Sequence, residues 1–117
     1  MSKPDRGAAA LNHMLEHAKE AVSFAEDRTR EDLYTDRLLN LALTRLLEVI
    51  GEAAGRVPVE LRAQHPGIPW PQIVGLRNRL THGYDSIDLD ILWQIVTRDL
   101  PPLIASLEII SKPNDER

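Results

Sequence analysis

Apolar residues recur at spacings of three and four along this chain, and this helical period is what most constrains its fold. The first run, from about Ala8 to Asp27, forms the single stripe of an amphipathic helix: Leu11, Met14, Leu15, Ala18, Val22 and Ala25. A second helix should begin between Thr29 and Asp36 and end with Gly55 as its C′ residue. Because it is apolar over more than one stripe, we expect it to be central. Strand-type alternation is missing, which predicts an all-α fold.

Proline and glycine divide the second half into shorter helices. Residues 59–64 are expected to form a helical turn, and Trp70 is expected to anchor a short helix from Pro71 to about Leu80. Another helix should start near Leu89. Pro101-Pro102 should interrupt it, which predicts either one kinked helix or two helices in series. Four to five helices with short links predict an antiparallel bundle.

The length of 117 residues fits a single domain, residues 1–117, with frayed tails at 1–6 and 112–117. A core of this size is small, so a partner subunit would help stability. Cysteine is absent, which excludes disulfides and thiolate metal sites and suits a reducing compartment. Neither a signal peptide nor a membrane-spanning stretch is evident, so we expect a cytoplasmic protein.

The formal net charge of −4 argues against a protein that holds nucleic acid by charge alone. Aromatic residues make up only 4% of the chain, which argues against a base-stacking platform. Any contact with RNA must therefore be local, brief or helped by a partner.

Two polar groupings on the long helices have both a chemical and a plain interpretation. His13 and His17 have the four-residue spacing of metal ligands, but no third ligand is evident nearby, so a solvated polar face is favoured. Glu48 and Glu52 could form a general acid–base pair. Like charges on a solvated edge, screened by Arg45, are the commoner arrangement.

The chemically richest stretch is RNRLTHGY, residues 77–84, at the junction of two helical patterns. Arg77 and His82 are five residues apart, about 140° around an ideal helix, so they would not share a face of a continuous helix. If the helix unwinds near Thr81, the imidazole can swing back toward Arg77. Asn78, four residues before His82, could hydrogen-bond to the ring and orient it.

An imidazole beside a guanidinium suits phosphodiester chemistry. The histidine can move a proton near neutral pH, and the arginine can hold the scissile phosphate with two hydrogen bonds. No metal is needed if the 2′-hydroxyl of the RNA attacks, and the products would be a 2′,3′-cyclic phosphate and a 5′-hydroxyl. One histidine cannot easily be both the base and the acid, because these act on opposite sides of phosphorus. A second histidine from the other chain of a dimer would supply the missing role. The structural alternative is an arginine and a histidine that only terminate a helix.

Residues 77–84 resemble the Arg-polar-x-x-x-His motif of HEPN-domain ribonucleases, and the Gly-Tyr that follows matches the Arg-x4-His-x-Tyr form of the HepT-like toxin branch. Further segments occur in the order shown by that branch: LEVIGEAA at 47–54, PGIPW at 66–70, Ile87-Asp88 and Leu92-Trp93. The resemblance covers about residues 30 to 105. The first helix matches only as a generic amphipathic helix.

This resemblance implies a homodimeric HEPN-like bundle that cleaves RNA without a metal or other cofactor, at a cleft shared by both motifs. Arg77 and His82 would be the catalytic pair, supported by Asn78. Arg79 is an extra cation that could contact RNA, pair with Asp85 or remain solvated.

The resemblance also implies a partner, an MNT-type nucleotidyltransferase antitoxin that adds AMP to Tyr84 and could hold the dimer in a larger complex. Bulky anions two residues from His82 would repel an RNA phosphate. We expect neither a membrane nor DNA as a partner.

Two other functions fit the same residues. The chain could be a non-catalytic subunit that binds RNA or nucleotide for the nucleotidyltransferase. It could also be a helical adaptor in which Arg77 and His82 only stabilise the junction.

Overall fold

The computed structural model describes residues 6–81 and 86–111, and these residues confirm the all-α prediction. They form eight α-helices and one π-helical turn, in chain order α1 Arg6–Ala25, α2 Asp32–Thr35, α3 Arg37–Gly55, α4 Val59–Ala63, α5 Trp70–Val74, α6 Leu76–Leu80, α7 Leu89–Gln94, the π-turn Ile95–Asp99 and α8 Leu100–Ser111. None of the helices formed by residues 6–81 and 86–111 combines the length and the hydropathy that a membrane span requires.

The second predicted helix is central, as expected. Helix α3 packs against α1, α2, α5 and α6, while α8 packs on α1. The residues that α3 buries include Leu43, Leu47 and Ile50, each with no exposed surface. Its second apolar stripe is partly solvent-facing, however, because Leu38 is 80% exposed and Leu41 is 49% exposed.

A small polar network holds the link between α1 and α3. The Asp36 side chain caps α3 by accepting a hydrogen bond from the Leu39 N–H at 3.1 Å, which satisfies one of the unpaired donors of the first turn. Arg28 donates to both Asp32 and Asp36. The guanidinium of Arg28 is the main cause that holds the pKa of Asp36 below its usual range. The second helix was predicted to begin between Thr29 and Asp36. This region contains the short helix α2 and then Asp36, the N-cap of α3.

Helix α3 does not end as predicted. Gly55 is its last helical residue. The C-cap is Arg56, whose backbone lies in the right-handed helical region (φ −90°, ψ −6°). The Arg62 guanidinium donates to the carbonyl oxygens of Gly55 at 3.2 Å and Val57 at 3.0 Å. Because a side chain satisfies this helix end, no left-handed glycine is needed there.

The single helix predicted from Pro71 to Leu80 is in fact two helices, α5 and α6, separated at Gly75 (φ −87°, ψ 13°). The break lets Ile73 and Leu76 both enter the core, at 6% and 2% exposure. Trp70 is the anchor that was expected: it is buried, begins α5 one residue before Pro71, and its indole N–H donates to the His65 carbonyl at 3.1 Å.

Of the two alternatives near Pro101-Pro102, the structure shows one helical run, because α7, the π-turn and α8 follow one another with no non-helical residue from 89 to 111. The irregularity lies just before the prolines, in the π-turn, where the Leu100 N–H donates to the Ile95 carbonyl five residues earlier. Both prolines then fall in the first turn of α8, where a missing N–H costs little. Asp88 caps α7 by accepting from the Ile91 N–H at 3.0 Å.

Gly51 sets how closely α5 approaches α3. A Cβ at this position would lie 3.0 Å from the carbonyl oxygen of Ile73 and 3.5 Å from that of Val74. Both neighbours are backbone atoms, which cannot rotate away as a side-chain end can. A Cβ at position 51 would therefore force α5 to move away from α3 by a few tenths of an ångström.

We predict that Gly51→Ala lowers the free energy of unfolding by about 1–3 kcal/mol, because α5 must shift away from α3. Gly55→Ala is the matched control, since a Cβ there meets nothing within 4 Å. It should leave stability unchanged or raise it by up to about 1 kcal/mol through helix propensity. Equal losses in both variants in urea unfolding would contradict the role of Gly51.

A second prediction concerns pH. Asp36→Asn keeps a side-chain oxygen for the Leu39 N–H but removes the charge that faces Arg28. Because the pKa of Asp36 is lowered in the folded state, its charge stabilises the fold above the unfolded value of about 3.9, and this contribution is lost as the pH falls through the folded value. Thermal melts should therefore show the variant less stable near neutrality and equal to the wild type in acid. A constant difference at all pH values would contradict this.

Candidate functional site

Helix α6 presents the first half of the motif to solvent. Leu76 and Leu80 lie on its inner face, with 2% and 0% exposure. Arg77, Asn78 and Arg79 occupy the remaining positions of this five-residue helix, and all three are exposed. The two leucines thus fix the helix to the core while its polar residues remain accessible.

The backbone at the end of α6 is closely held. Thr81 is extended, and both its N–H and its hydroxyl donate to the Arg77 carbonyl, at 3.1 and 2.9 Å. The Asp88 N–H donates to the Leu80 carbonyl at 2.8 Å, and Thr81 pairs with Ile87 in an antiparallel bridge. The helix therefore stops at Leu80, two residues before His82, as the unwinding hypothesis requires. His82, Tyr84 and Asp85 lie outside the described residues.

The side chains of Arg77 and Asn78 are available for a ligand. Within residues 6–81 and 86–111, neither makes a hydrogen bond or an ion pair. Arg28, Arg30, Arg45 and Arg79, by contrast, all face a carboxylate. In the structural alternative, the guanidinium of Arg77 would donate to the terminal carbonyls of its helix. No such hydrogen bond occurs among these residues.

Arg79 connects the motif helix to the π-turn. Its guanidinium lies 3.2 Å from the Asp99 carboxylate, and both side chains are partly exposed. This pair joins residues twenty positions apart, which the sequence analysis did not anticipate.

The two polar groupings on the long helices make local contacts. Arg45 lies 3.4 Å from Glu48 and 3.7 Å from Glu52, so the charges are screened on a solvated edge as favoured. The Nδ1 of His17 hydrogen-bonds to the His13 carbonyl at 2.7 Å. The described residues contain no group of three or more potential ligands that could hold a metal ion.

Two hollows flank the π-turn and share Arg98. The first, which we call the apolar hollow, has a volume of about 370 Å³ and lies between α5, α6 and the start of α8, with walls that include Ile68, Pro69, Leu76, Arg79, Asp99 and Leu103. The second, the tryptophan hollow, has a volume of about 270 Å³ and is lined by Arg30, Asp90, Trp93, Gln94, Thr97 and Arg98. The sequence analysis did not single out Arg98. In the sequence, Arg98 is marked only by its positive charge, shortly before Pro101-Pro102.

Comparison with known proteins gives a consistent family match. A family model described as "Ribonuclease HepT-like" matches residues 14–110. This is wider than the predicted coverage and includes most of α1. It spans the whole motif and both hollows.

Several curated relatives are similar over most of their length. "Putative RNase MJ1380" of Methanocaldococcus jannaschii is 37% identical over 110 residues, 94% of this chain and 100% of that protein. "Probable ribonuclease HepT" of Thermococcus cleftensis is 36% identical over 102 residues, 84% of this chain and 93% of that protein. "Putative RNase TTE0752" of Caldanaerobacter subterraneus is 33% identical over 103 residues, 87% and 92% of the two chains. No solved structure matches this chain.

Proposed function

The chain belongs to the HepT-like ribonuclease family of HEPN proteins, and from that premise we propose that it is a metal-independent endoribonuclease with Arg77 and His82 as its catalytic pair. The observation that carries the proposal is the state of Arg77. Arg77 is exposed, its side chain has no partner among the described residues, and its helix ends at Leu80, two residues before His82.

Arg77 would bind the scissile phosphate. A planar guanidinium can donate two parallel hydrogen bonds to phosphate oxygens and can stabilise the negative charge that grows on them during the reaction. Because no carboxylate among the described residues competes for it, Arg77 need not break an ion pair before it binds the substrate. Asn78, also exposed, would support the pair by hydrogen-bonding to the His82 ring.

His82 would act on the 2′-hydroxyl of the RNA. As a general base it takes the hydroxyl proton, the 2′-oxygen forms a bond to phosphorus, and the bond from phosphorus to the 5′-oxygen breaks. The leaving oxygen must receive a proton on the opposite side of phosphorus. A second His82, supplied by the other chain of a homodimer, would provide this proton, so the site is complete only in a cleft shared by two copies.

We further propose that this ribonuclease is the toxin of a toxin–antitoxin pair, and that an MNT-type nucleotidyltransferase neutralises it by adding AMP to Tyr84. A phosphodiester placed two residues after His82 would bring negative charge next to the position of the RNA phosphate. The two anions would repel each other, and the bulk of the nucleotide would block the cleft.

A non-catalytic role as an RNA- or nucleotide-binding subunit is the second candidate. The observation that favours it is the net charge of −4, which gives the chain little general attraction for RNA. A subunit that receives its RNA from a partner would not need such attraction.

The proposal predicts that the purified wild type cleaves total RNA in excess EDTA and leaves 2′,3′-cyclic phosphate ends. His82→Ala should lower the rate by at least about 100-fold, because it removes the proton-transfer group. Arg77→Lys keeps the charge but loses the two parallel hydrogen bonds, and it should lose most of the activity. Arg45→Gln, on the solvated edge of α3, is the control and should cleave normally.

A wild type that is unmodified, dimeric and inactive in this assay would overturn the nuclease proposal and favour the non-catalytic subunit. A wild type that loses activity in EDTA and regains it with Mg²⁺ would contradict the metal-free mechanism.

The antitoxin proposal is tested with the Tyr84→Phe variant. When the wild type and the variant are each co-expressed with a nucleotidyltransferase encoded beside the chain, intact mass should rise in multiples of AMP only in the wild type. The variant should keep its ribonuclease activity, because a phenyl ring fills the same space but offers no hydroxyl. A mass gain in Tyr84→Phe would show that the modified residue is another one.

A further inference from the structure

We propose that the tryptophan hollow and the apolar hollow form one track for a single-stranded segment of the substrate RNA, with a base against Trp93 and a phosphate on Arg98. The inference rests on the proposed function, since it assigns the path of that ribonuclease's substrate. It adds residues from the α7–α8 region to the site on α6.

Trp93 offers a surface suited to a base. It is half-buried, and its aliphatic neighbours belong to the core, so the indole is held in place. Its indole N–H, unlike that of Trp70, has no acceptor among the described residues. Gln94 beside it is exposed, and its amide can both donate and accept hydrogen bonds at a base edge. An aromatic ring next to an amide can stack on a base and also contact its polar atoms.

Arg98 supplies the positive charge between the two hollows. It is exposed, it lines both of them, and it makes no ion pair with the described residues. The other charges of the hollows are paired: Arg30 with Asp90 at 3.1 Å, and Arg79 with Asp99 at 3.2 Å. The uncompensated charge of the combined surface, within the described residues, is therefore the single guanidinium of Arg98. One phosphate would neutralise it.

The track is continuous with the motif helix. The apolar hollow is lined by Arg79 and Leu76 of α6 on one side and by Leu103 of α8 on the other. The Arg79–Asp99 pair holds α6 beside the π-turn, and Asp99 follows Arg98 directly in the chain. An RNA strand that lies on the Arg79 side of α6 would therefore enter hollows that already contain an aromatic ring and an arginine without an ion-pair partner.

An RNA strand fits these features better than an acidic peptide does. A peptide would need its backbone hydrogen bonds satisfied, and the apolar hollow is lined mainly by carbon. A nucleotide brings one planar group and one negative charge, which match one aromatic ring and one unpaired arginine. This local contact also agrees with a chain whose net charge of −4 gives no general attraction to RNA.

The test is a binding titration in the His82→Ala background, so that the RNA is not cut. A fluorescein-labelled single-stranded RNA is followed by anisotropy, and the protein by tryptophan emission; Trp70 is only 6% exposed, so Trp93 should dominate the quenching. Adding Trp93→Leu should raise Kd by about 5- to 100-fold, while Trp93→Phe, which keeps an aromatic ring, should retain most of the affinity. Thermal melts confirm that each variant is folded.

Arg98→Gln is the second variant and does not disturb the core, because Arg98 is exposed. It should weaken binding and lower the slope of log K against log salt by about 0.7, the value for one phosphate contact to a single strand. Arg37→Gln is the charge-matched control: Arg37 is exposed, has no partner among the described residues and lines neither hollow. It should change Kd by less than about twofold.

The outcomes separate this inference from the proposed function. If the wild type cleaves RNA but the Trp93 and Arg98 variants bind like the Arg37 control, the track is wrong and the ribonuclease proposal stands. If the parent does not bind the RNA at all, the track is wrong. If the wild type does not cleave RNA while the Trp93 and Arg98 variants still lose binding, the track stands and the catalytic proposal fails.

Discussion

The close backbone contact between α3 and α5 at Gly51 is the constraint on which the rest of the site depends. A Cβ on residue 51 would lie only 3.0 Å from the Ile73 carbonyl oxygen, so any larger residue would push α5 away from α3. Once α5 lies there, the turn at Gly75 directs α6 so that Leu76 and Leu80 enter the core. The polar residues of the motif are then exposed because the two leucines occupy the inner face.

The end of α6 is held by hydrogen bonds from residues that follow it in the chain. The hydrogen bonds from Thr81 and Asp88 satisfy the carbonyls of Arg77 and Leu80 at this helix end, and neither bond uses a charged side chain. Arg77 is therefore spared a structural task. The Thr81–Ile87 bridge holds together two backbone positions, one on each side of His82 in the chain.

The distribution of arginines reconciles an acidic chain with an RNA substrate. Arginines that face carboxylates, among them Arg28, Arg30, Arg45 and Arg79, connect helices or screen like charges. Arg77 and Arg98 make no such pair within the described residues, and both lie beside the hollows or the motif. Arg77 and Arg98 thus offer local positive charge, while the net charge of −4 disfavours indiscriminate binding.

The sequence by itself determined the all-α class, the central place of α3 and the anchor at Trp70, because apolar period and proline position are local properties. Its motif also singled out Arg77, Asn78 and His82 and indicated the family. Only the tertiary structure decided that Gly55 needs no left-handed turn, that Gly75 divides the motif helix, and that Arg79 pairs with Asp99. The first and the last of these depend on a donor or a carboxylate from another segment, and the break at Gly75 lets Ile73 and Leu76 both enter a core that other helices complete. No local pattern records which segment will arrive.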